Sequence, residues 1–209
     1  MTHLLHLDSS ISGDASVSRA IGRAFTAEWL NGSNASSNTI TYRDLAAAPL
    51  PYLSDSALHW APDLRVPGSN PPAEQEQLQR ELIAELLAAD VLLIAAPMYN
   101  YSLPATLKTW VDYLHVAGTT FSGVQPFAGR PAVVITSRGS SYDTGSAKDG
   151  WDHGVPVLDL ILRDALGMKL EVITTNLTLP QNSDALTERA STELAAALAE
   201  AKNAAQRLN

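Results

Sequence analysis

The stretch "VLLIAAPMYNYSLPATLK", residues 91–108, decides the fold. It opens on a continuous apolar run, "VLLIAAP" (91–97), whose length and composition read as a strand buried on both faces. Parallel sheets produce such strands, because helices cover them on either side. The next four residues are unusual for a strand-to-helix connection. Met98, Tyr99, Asn100 and Tyr101 stand in a row where small turn formers are expected. Ser102 and Pro104 then lead into a helix in "LPATLKTWVDYLHVAG" (103–118), with Pro104 in its first turn and Gly118 at its end.

Outward from this stretch, strand and helix signals alternate. On the amino-terminal side, "HLLHLD" (3–8) reads as a first strand. "SVSRAIGRAFTAEWL" (16–30) places Val17, Ile21, Phe25 and Trp29 four residues apart, an amphipathic helix that Ser16 can cap and that "NGSNASSN" (31–38) closes. "TITYRDL" (39–45) alternates as a second strand. Residues 46–73 are rich in Pro, Ser and Gly, and a loop of that length inside a domain is often a lid or binding loop. "AEQEQLQRELIAELLAAD" (73–90) is a helix made of strong helix formers. On the other side, "TFSGVQPFAGRP" (120–131) is irregular and "AVVITS" (132–137) is a second continuous apolar strand. "DHGVPVLDLILRDALGM" (152–168) carries a helix, "KLEVITT" (169–175) a fifth strand, and residues 183–208 an Ala-rich last helix.

No internal repeat or linker divides the chain, so residues 1–209 read as a single domain. Strands alternating with helices predict an α/β fold: a doubly wound, five-stranded parallel sheet with helices on both faces. At this size the order 2-1-3-4-5 of the flavodoxin-like type is expected. A six-stranded dinucleotide fold should show Gly-x-Gly-x-x-Gly after the first strand, and this chain does not.

Composition narrows the function. The chain has 209 residues, 45% hydrophobic and 17% charged, with a formal net charge of −8. That field repels nucleic acid and anionic membrane, so neither is expected as a partner. The absence of cysteine excludes disulfides, thiol catalysis and cysteine-ligated metals. "MTHLLHLDSS" lacks a basic n-region and no apolar run has the length of a membrane span, so the default expectation is a cytoplasmic protein.

Ligands of such a sheet bind beyond the carboxyl ends of its strands, at the switch between strands 1 and 3. Three loops meet there. "DSSISGDASVSRA" (8–20) is rich in serine and runs into a helix N-terminus, whose free N–H groups and roughly half a positive charge suit a phosphate. It contains no lysine and no Walker A pattern. The opening stretch offers Met98, Tyr99 and Tyr101 as flat or soft surface and Asn100 as an amide, a combination suited to a planar heteroaromatic ring. "TSRGSSYDTG" (136–145) provides Gly139 for close backbone approach and Arg138 as a cation for an electron-rich ring edge. Taken singly, each loop is also explained by turn chemistry or core packing. Together, a serine phosphate cup and an aromatic cradle describe a flavin mononucleotide (FMN) site.

The residues "SSISGDASVS" (9–18), "APMYNYSLPATLKTWVDYLHVAGTTF" (96–121) and "ITSRG" (135–139) resemble the FMN-dependent NADH:quinone oxidoreductase and azoreductase family of bacteria, and the likeness covers nearly the whole chain. The resemblance implies a flavodoxin-like homodimer with the active site at its interface. It also implies a ping-pong transfer of two electrons from NADH or NADPH through FMN to a quinone or azo acceptor. Residue by residue, it implies a phosphate site at Ser10, Ser16, Val17 and Ser18. The isoalloxazine cradle falls on Met98, Tyr99, Asn100 and Tyr101, and the second ring edge on Ser137, Arg138, Gly139 and Ser140. Two positions depart from the family pattern, since Ser140 and Tyr142 stand where a glycine and a histidine are expected. The loop after Phe121 is also shorter than in the family and lacks an aromatic of the substrate side.

Because the flavin carries the chemistry, no side chain is assigned as a catalyst. Tyr101 and Tyr142 are the candidates for the substrate side, as hydroxyl donors or, more simply, as stacking walls. No metal site is expected: His3 and His6 lie in strand 1 without further ligand spacing, and His115 and His153 have no partner in sequence. Tyr52, His59 and Trp60 in the 46–73 loop could fold over the flavin from its own subunit or a partner. A flavodoxin-type electron carrier would use the same site with a protein partner. A receiver domain would need an acidic cluster at the ends of strands 1 and 3, and strand 3 ends in Met98, Tyr99 and Asn100.

Overall fold

The computed structural model describes residues 2–31 and 37–209. The expected helix closure at 31–38 therefore lies mostly outside the described residues. Five strands, β1 (His3–Asp8), β2 (Thr39–Asp44), β3 (Val91–Ala95), β4 (Pro131–Ser137) and β5 (Lys169–Thr175), form one parallel sheet in the order β2-β1-β3-β4-β5. This is the expected doubly wound order. Alternate residues of the central strands feed two cores. Leu4, Leu93, Val133 and Ile135 pack against α1 (Val17–Asn31) and α5 (Asp184–Leu208). Leu5, Leu92, Ile94 and Val134 pack with α2 (Ala73–Ala88), α3 (Ala105–Leu114) and α4 (Val155–Asp159) on the opposite face.

The helix spacing read from sequence has its physical counterpart. Ile21, Phe25 and Trp29 are fully buried on one face of α1, and Phe25 stacks on Trp29 with ring centroids 6.1 Å apart. Ala197, Ala201, Ala204 and Ala205 of α5 bury their small side chains in the same core. Ser16 caps α1, its Oγ accepting the N–H of Arg19 at 3.3 Å, and Ser183 caps α5 through the N–H of Leu186.

Three boundaries differ from expectation. The third helix ends at Leu114, not at Gly118, and Pro104 lies just before its first residue. Thr120 causes the early stop: its hydroxyl donates to the carbonyl of Leu114 and accepts the N–H of Val116, folding 115–121 into a tight turn. Gly118 sits in that turn at φ +79°, and a Cβ there would stand 2.5 Å from Leu64. The fourth helix also changes pitch, passing after Asp159 into a π-helical segment, Leu160–Ala165.

The long 46–73 loop is more ordered than its composition suggests. It contains short 3-10 turns at Ser56–His59 and Pro62–Leu64, the first started by the Asp55 carboxylate on the N–H of Ala57. The Ala61 N–H donates to the Ala117 carbonyl, and the Gln79 amide reaches the carbonyls of Leu58 and Tyr113. The loop is thus clamped onto α2 and the end of α3.

Candidate cofactor site

The loops that follow β1, β3 and β4 converge on a cavity of about 280 Å³, lined by Ser10, Ser12, Ala15, Ser16, Val17, Pro97, Met98, Tyr99, Ser137, Gly139, Thr178 and Leu179. Seven of the sequence-selected positions thus share one cleft: Ser10, Ser16, Val17, Met98, Tyr99, Ser137 and Gly139.

The connection after β3 is built as a strained hairpin turn. Tyr99 and Ser102 exchange N–H···O=C bonds, both 3.0 Å, while Asn100 and Tyr101 have φ of +48° and +70°. Two consecutive positive φ values define a type I′ turn, which glycine usually supplies. Asn tolerates this conformation; for Tyr it costs on the order of 1 kcal/mol or more. Neither central N–H has an acceptor among the described residues, so both are free for a ligand. The turn is held from both sides. Met98 N–H donates to the Ser137 carbonyl at 2.9 Å, and His153 N–H donates to the Tyr101 carbonyl at 2.8 Å. The Tyr99 hydroxyl meets Ser10 Oγ at 3.0 Å and accepts the N–H of Ile11 at 3.1 Å. Tyr99 therefore fastens the aromatic segment to the serine loop.

The serine loop is equally fixed. Ser9 Oγ donates to the Ala95 carbonyl at 2.8 Å, and Ser10 Oγ accepts the N–H of Ser12 at 3.2 Å. Ser16 and Ser18 approach through their hydroxyls at 3.1 Å, with Ser18 wholly buried behind the cavity wall. The N–H groups of Val17 and Ser18 lack an acceptor among the described residues. First-turn donors without a neighbouring cation in the cleft are a ready anion site.

Beneath this loop lies a residue that sequence reading passed over. Arg19 forks onto Asp44 at 2.5 and 2.8 Å, lies 3.4 Å from Asp8, and donates to the Ser10 carbonyl at 2.7 Å. Burial pushes the Asp8 carboxyl up, but His6, the Tyr42 hydroxyl and Arg19 together hold it below its ordinary value. The Arg19 bond holds Asp44 below its ordinary value too, as the Ser141 hydroxyl and Arg189 do for Asp143. A lowered carboxyl contributes stability that is present above the ordinary value of 3.8 and is lost as pH falls through the lowered one. Urea midpoints should therefore be level from about pH 7 to pH 5 and fall steeply below about pH 4. A midpoint unchanged at about pH 3 would contradict these pairings.

The remaining sequence-selected residues lie at the edge of the cleft. The Arg138 guanidinium is buried and bound to Asp152 at 2.9 Å, with Asp143 at 3.5 Å, so its charge is neutralised away from the cavity. Ser140 faces a neighbouring cavity. Asn100 and Tyr101 project at the rim, where Tyr101 packs edge-on against Trp151 and Tyr142 at 5.7 and 6.5 Å. Tyr101 is 44% and Trp151 49% exposed, leaving an open aromatic wall. Trp151 was not singled out in the sequence, nor were Ala15, Thr178 and Leu179. Thr178 and Leu179 follow β5, whose carboxyl end adjoins β4, so the same strand-end rule could have found them. The histidines His3 and His115 are held structurally. The His3 ring nitrogens meet Thr39 and Thr41, and His115 stacks on Phe121 at 3.7 Å, with burial lowering its pKa. Among the described residues no helix is long and apolar enough to cross a membrane.

Comparison with known proteins identifies the family and the fold. The family model described as flavodoxin-like fold matches residues 2–203. An FMN-dependent NADH:quinone oxidoreductase of Kineococcus radiotolerans is 50% identical over 212 residues, all of both chains. One of Streptomyces coelicolor is 38% identical over 90% of this chain and 85% of its own. Among solved structures, an azoreductase from Bacillus anthracis str. Sterne superimposes with a TM-score of 0.81 at 21% identity, covering 99% of this chain and all of the other. An FMN-dependent NADH-azoreductase from Bacillus anthracis, solved in complex with FMN, gives 0.79 at 21% identity, over 100% of this chain and 99% of its own. At that identity the structures establish the shared fold.

Proposed function

Because this chain belongs to the flavodoxin-like family, among the FMN-dependent NADH:quinone oxidoreductases, we propose that it is an FMN-dependent NAD(P)H:quinone oxidoreductase. The observation that carries the reading is the single cleft in which serine donors, a strained aromatic turn and Gly139 meet. The donor set fits FMN. The free N–H groups of Val17 and Ser18, with the hydroxyls of Ser10 and Ser16, suit the phosphate. Met98 and Tyr99 line the path of a flat ring, and Gly139, with no side chain, lets a ring approach the backbone of the loop after β4.

Bound FMN supplies hydride acceptance from NADH or NADPH and two-electron donation to a quinone. The protein supplies position. The type I′ turn presents the N–H groups of Asn100 and Tyr101 toward a ring edge, and Ser137 and Gly139 flank a second edge. Neutralising Arg138 with Asp152 keeps a full positive charge off the ring. Tyr101, Tyr142 and Trp151 form the wall on which a planar acceptor can stack. Their open faces fit closure by a second copy, as a homodimer with its sites at the interface, working in the cytoplasm where the reduced dinucleotide is made. Azo compounds, being flat and reducible, serve as convenient acceptors.

Anaerobic mixing with NADH or NADPH provides the test. The FMN-reconstituted protein should bleach with at least one of them, and a quinone should restore the colour. A protein that cannot be reconstituted with FMN would refute the proposal. A flavin reduced only by a partner protein would instead make this an electron carrier.

A further inference from the structure

Beside the cofactor cleft lies a second cavity, of about 490 Å³, that shares Gly139 and Leu179 with it as a common wall. Ser140, Ser141, Ser146, Gln181 and Asn182 supply hydroxyls and amides to its lining, alongside apolar residues such as Leu177, Pro180 and Leu186. Its one cationic lining residue is Lys148. The ammonium of Lys148 donates to Ser140 Oγ at 2.9 Å and stands 5.4 Å from the centre of the Tyr142 ring. No carboxylate lies in ion-pair range of it among the described residues, although the chain carries a net charge of −8. The nearby acids are already engaged. Asp143 is bound by Arg189, Asn176 and Ser141, with Arg138 near, and Asp149 accepts the N–H of Gly145. A half-buried lysine held over an aromatic face, among hydroxyls and amides and without an acid, has the makings of an anion receptor.

We infer that this cavity is an anion subsite adjoining the flavin site, with Lys148 as its charge, and that it receives the anionic part of a reactant. The inference rests on the FMN reading of the neighbouring cleft. An anion can reach it from two sources: the phosphates of the reducing dinucleotide, or an acidic substituent on the quinone. Lys148→Met keeps the aliphatic stem over Tyr142 and removes the charge, while Lys148→Arg keeps the charge.

The test uses the oxidised, FMN-loaded protein and calorimetric titration with three probes: ADP-ribose, 1,2-naphthoquinone-4-sulfonate and 1,2-naphthoquinone. Loss of the ammonium should weaken one of the anionic probes roughly tenfold, the size of one hydrogen bond to a charged group, and leave neutral naphthoquinone within about twofold. Lys148→Arg should restore most of the affinity. Weakening of ADP-ribose assigns the subsite to the dinucleotide, and weakening of the sulfonate assigns it to the acceptor. The wild-type protein gives a check that needs no variant, because binding of the favoured anion should fall with added salt. Affinities for both anions that ignore salt and the loss of Lys148 overturn the inference. A yellow, NADH-reducible protein behaving that way leaves the FMN reading intact, whereas a protein that never takes up FMN ends both.

Discussion

Replacing Arg19 by methionine should lower stability by about 3–5 kcal/mol, the cost typical of breaking a buried ion pair from one side. In a domain of this size that is a fall in Tm of roughly 10 °C. The reason lies in the sheet. Asp8 and Asp44 end neighbouring strands in register, so two carboxylates face each other at the edge of the cleft. Arg19 lies between them with its side chain 9% exposed, and the Asp8 side chain is 4% exposed. Without the guanidinium, Asp8 keeps only His6 and the Tyr42 hydroxyl, and the Ser10 carbonyl loses its donor. Two further readouts separate this from a packing effect. The gap between wild type and variant should narrow as pH falls below about 4, because protonation relieves the unpaired carboxylates. Adding Asp44→Asn should recover part of the loss, since the amide oxygen can still accept from Ala46 and Ala47. FMN affinity should also weaken, because Arg19 fixes the backbone of the serine loop. A loss below about 1 kcal/mol would remove Arg19 from this role.

That network also shows where sequence reading stops. The strands were legible because double-sided burial leaves no polar positions in "VLLIAA" and few in "AVVIT", and the topology followed from their alternation with helices. Arg19 was not, since an arginine in the first turn of an amphipathic helix reads as a solvated residue. Only the register that sets Asp8 beside Asp44 creates the demand for a cation there. The turn at 99–102 was recognisable as unusual, yet its type was hidden. Asn-Gly announces a type I′ turn, and Asn-Tyr adopts one here because bonds from Ser137, Ser10 and His153 impose it. The end of α3 was hidden for a similar reason. Gly118 marks a turn in sequence, but the earlier stop, at Leu114, is made by the Thr120 hydroxyl. Trp151 and Lys148 lie in a polar loop with no periodicity, so nothing local distinguishes them from solvent-facing residues.

Gly139→Val should weaken FMN binding by about tenfold to a hundredfold, while the cofactor-free protein keeps its Tm within a few degrees. Gly139 lines the proposed flavin cleft and carries no positive φ, so a valine can adopt its backbone conformation. The neighbour a Cβ would meet is Leu179, whose tip stands at 2.7 Å but which is 62% exposed and free to swing aside. The apoprotein therefore yields at little cost. A planar ring seated as proposed against the glycine could not yield in the same way, because the type I′ turn would hold its other edge and the serine loop its phosphate. Overpacking of that kind costs about 1–3 kcal/mol, which corresponds to that loss of affinity. The comparison between the two measurements carries the meaning. Weak FMN binding with an unchanged apoprotein Tm places the flavin against Gly139, whereas equal losses in both would make the residue a packing element. If FMN binds Gly139→Val as tightly as wild type, the ring edge does not lie against the loop after β4, and the proposed seat must shift toward Met98 and Tyr99.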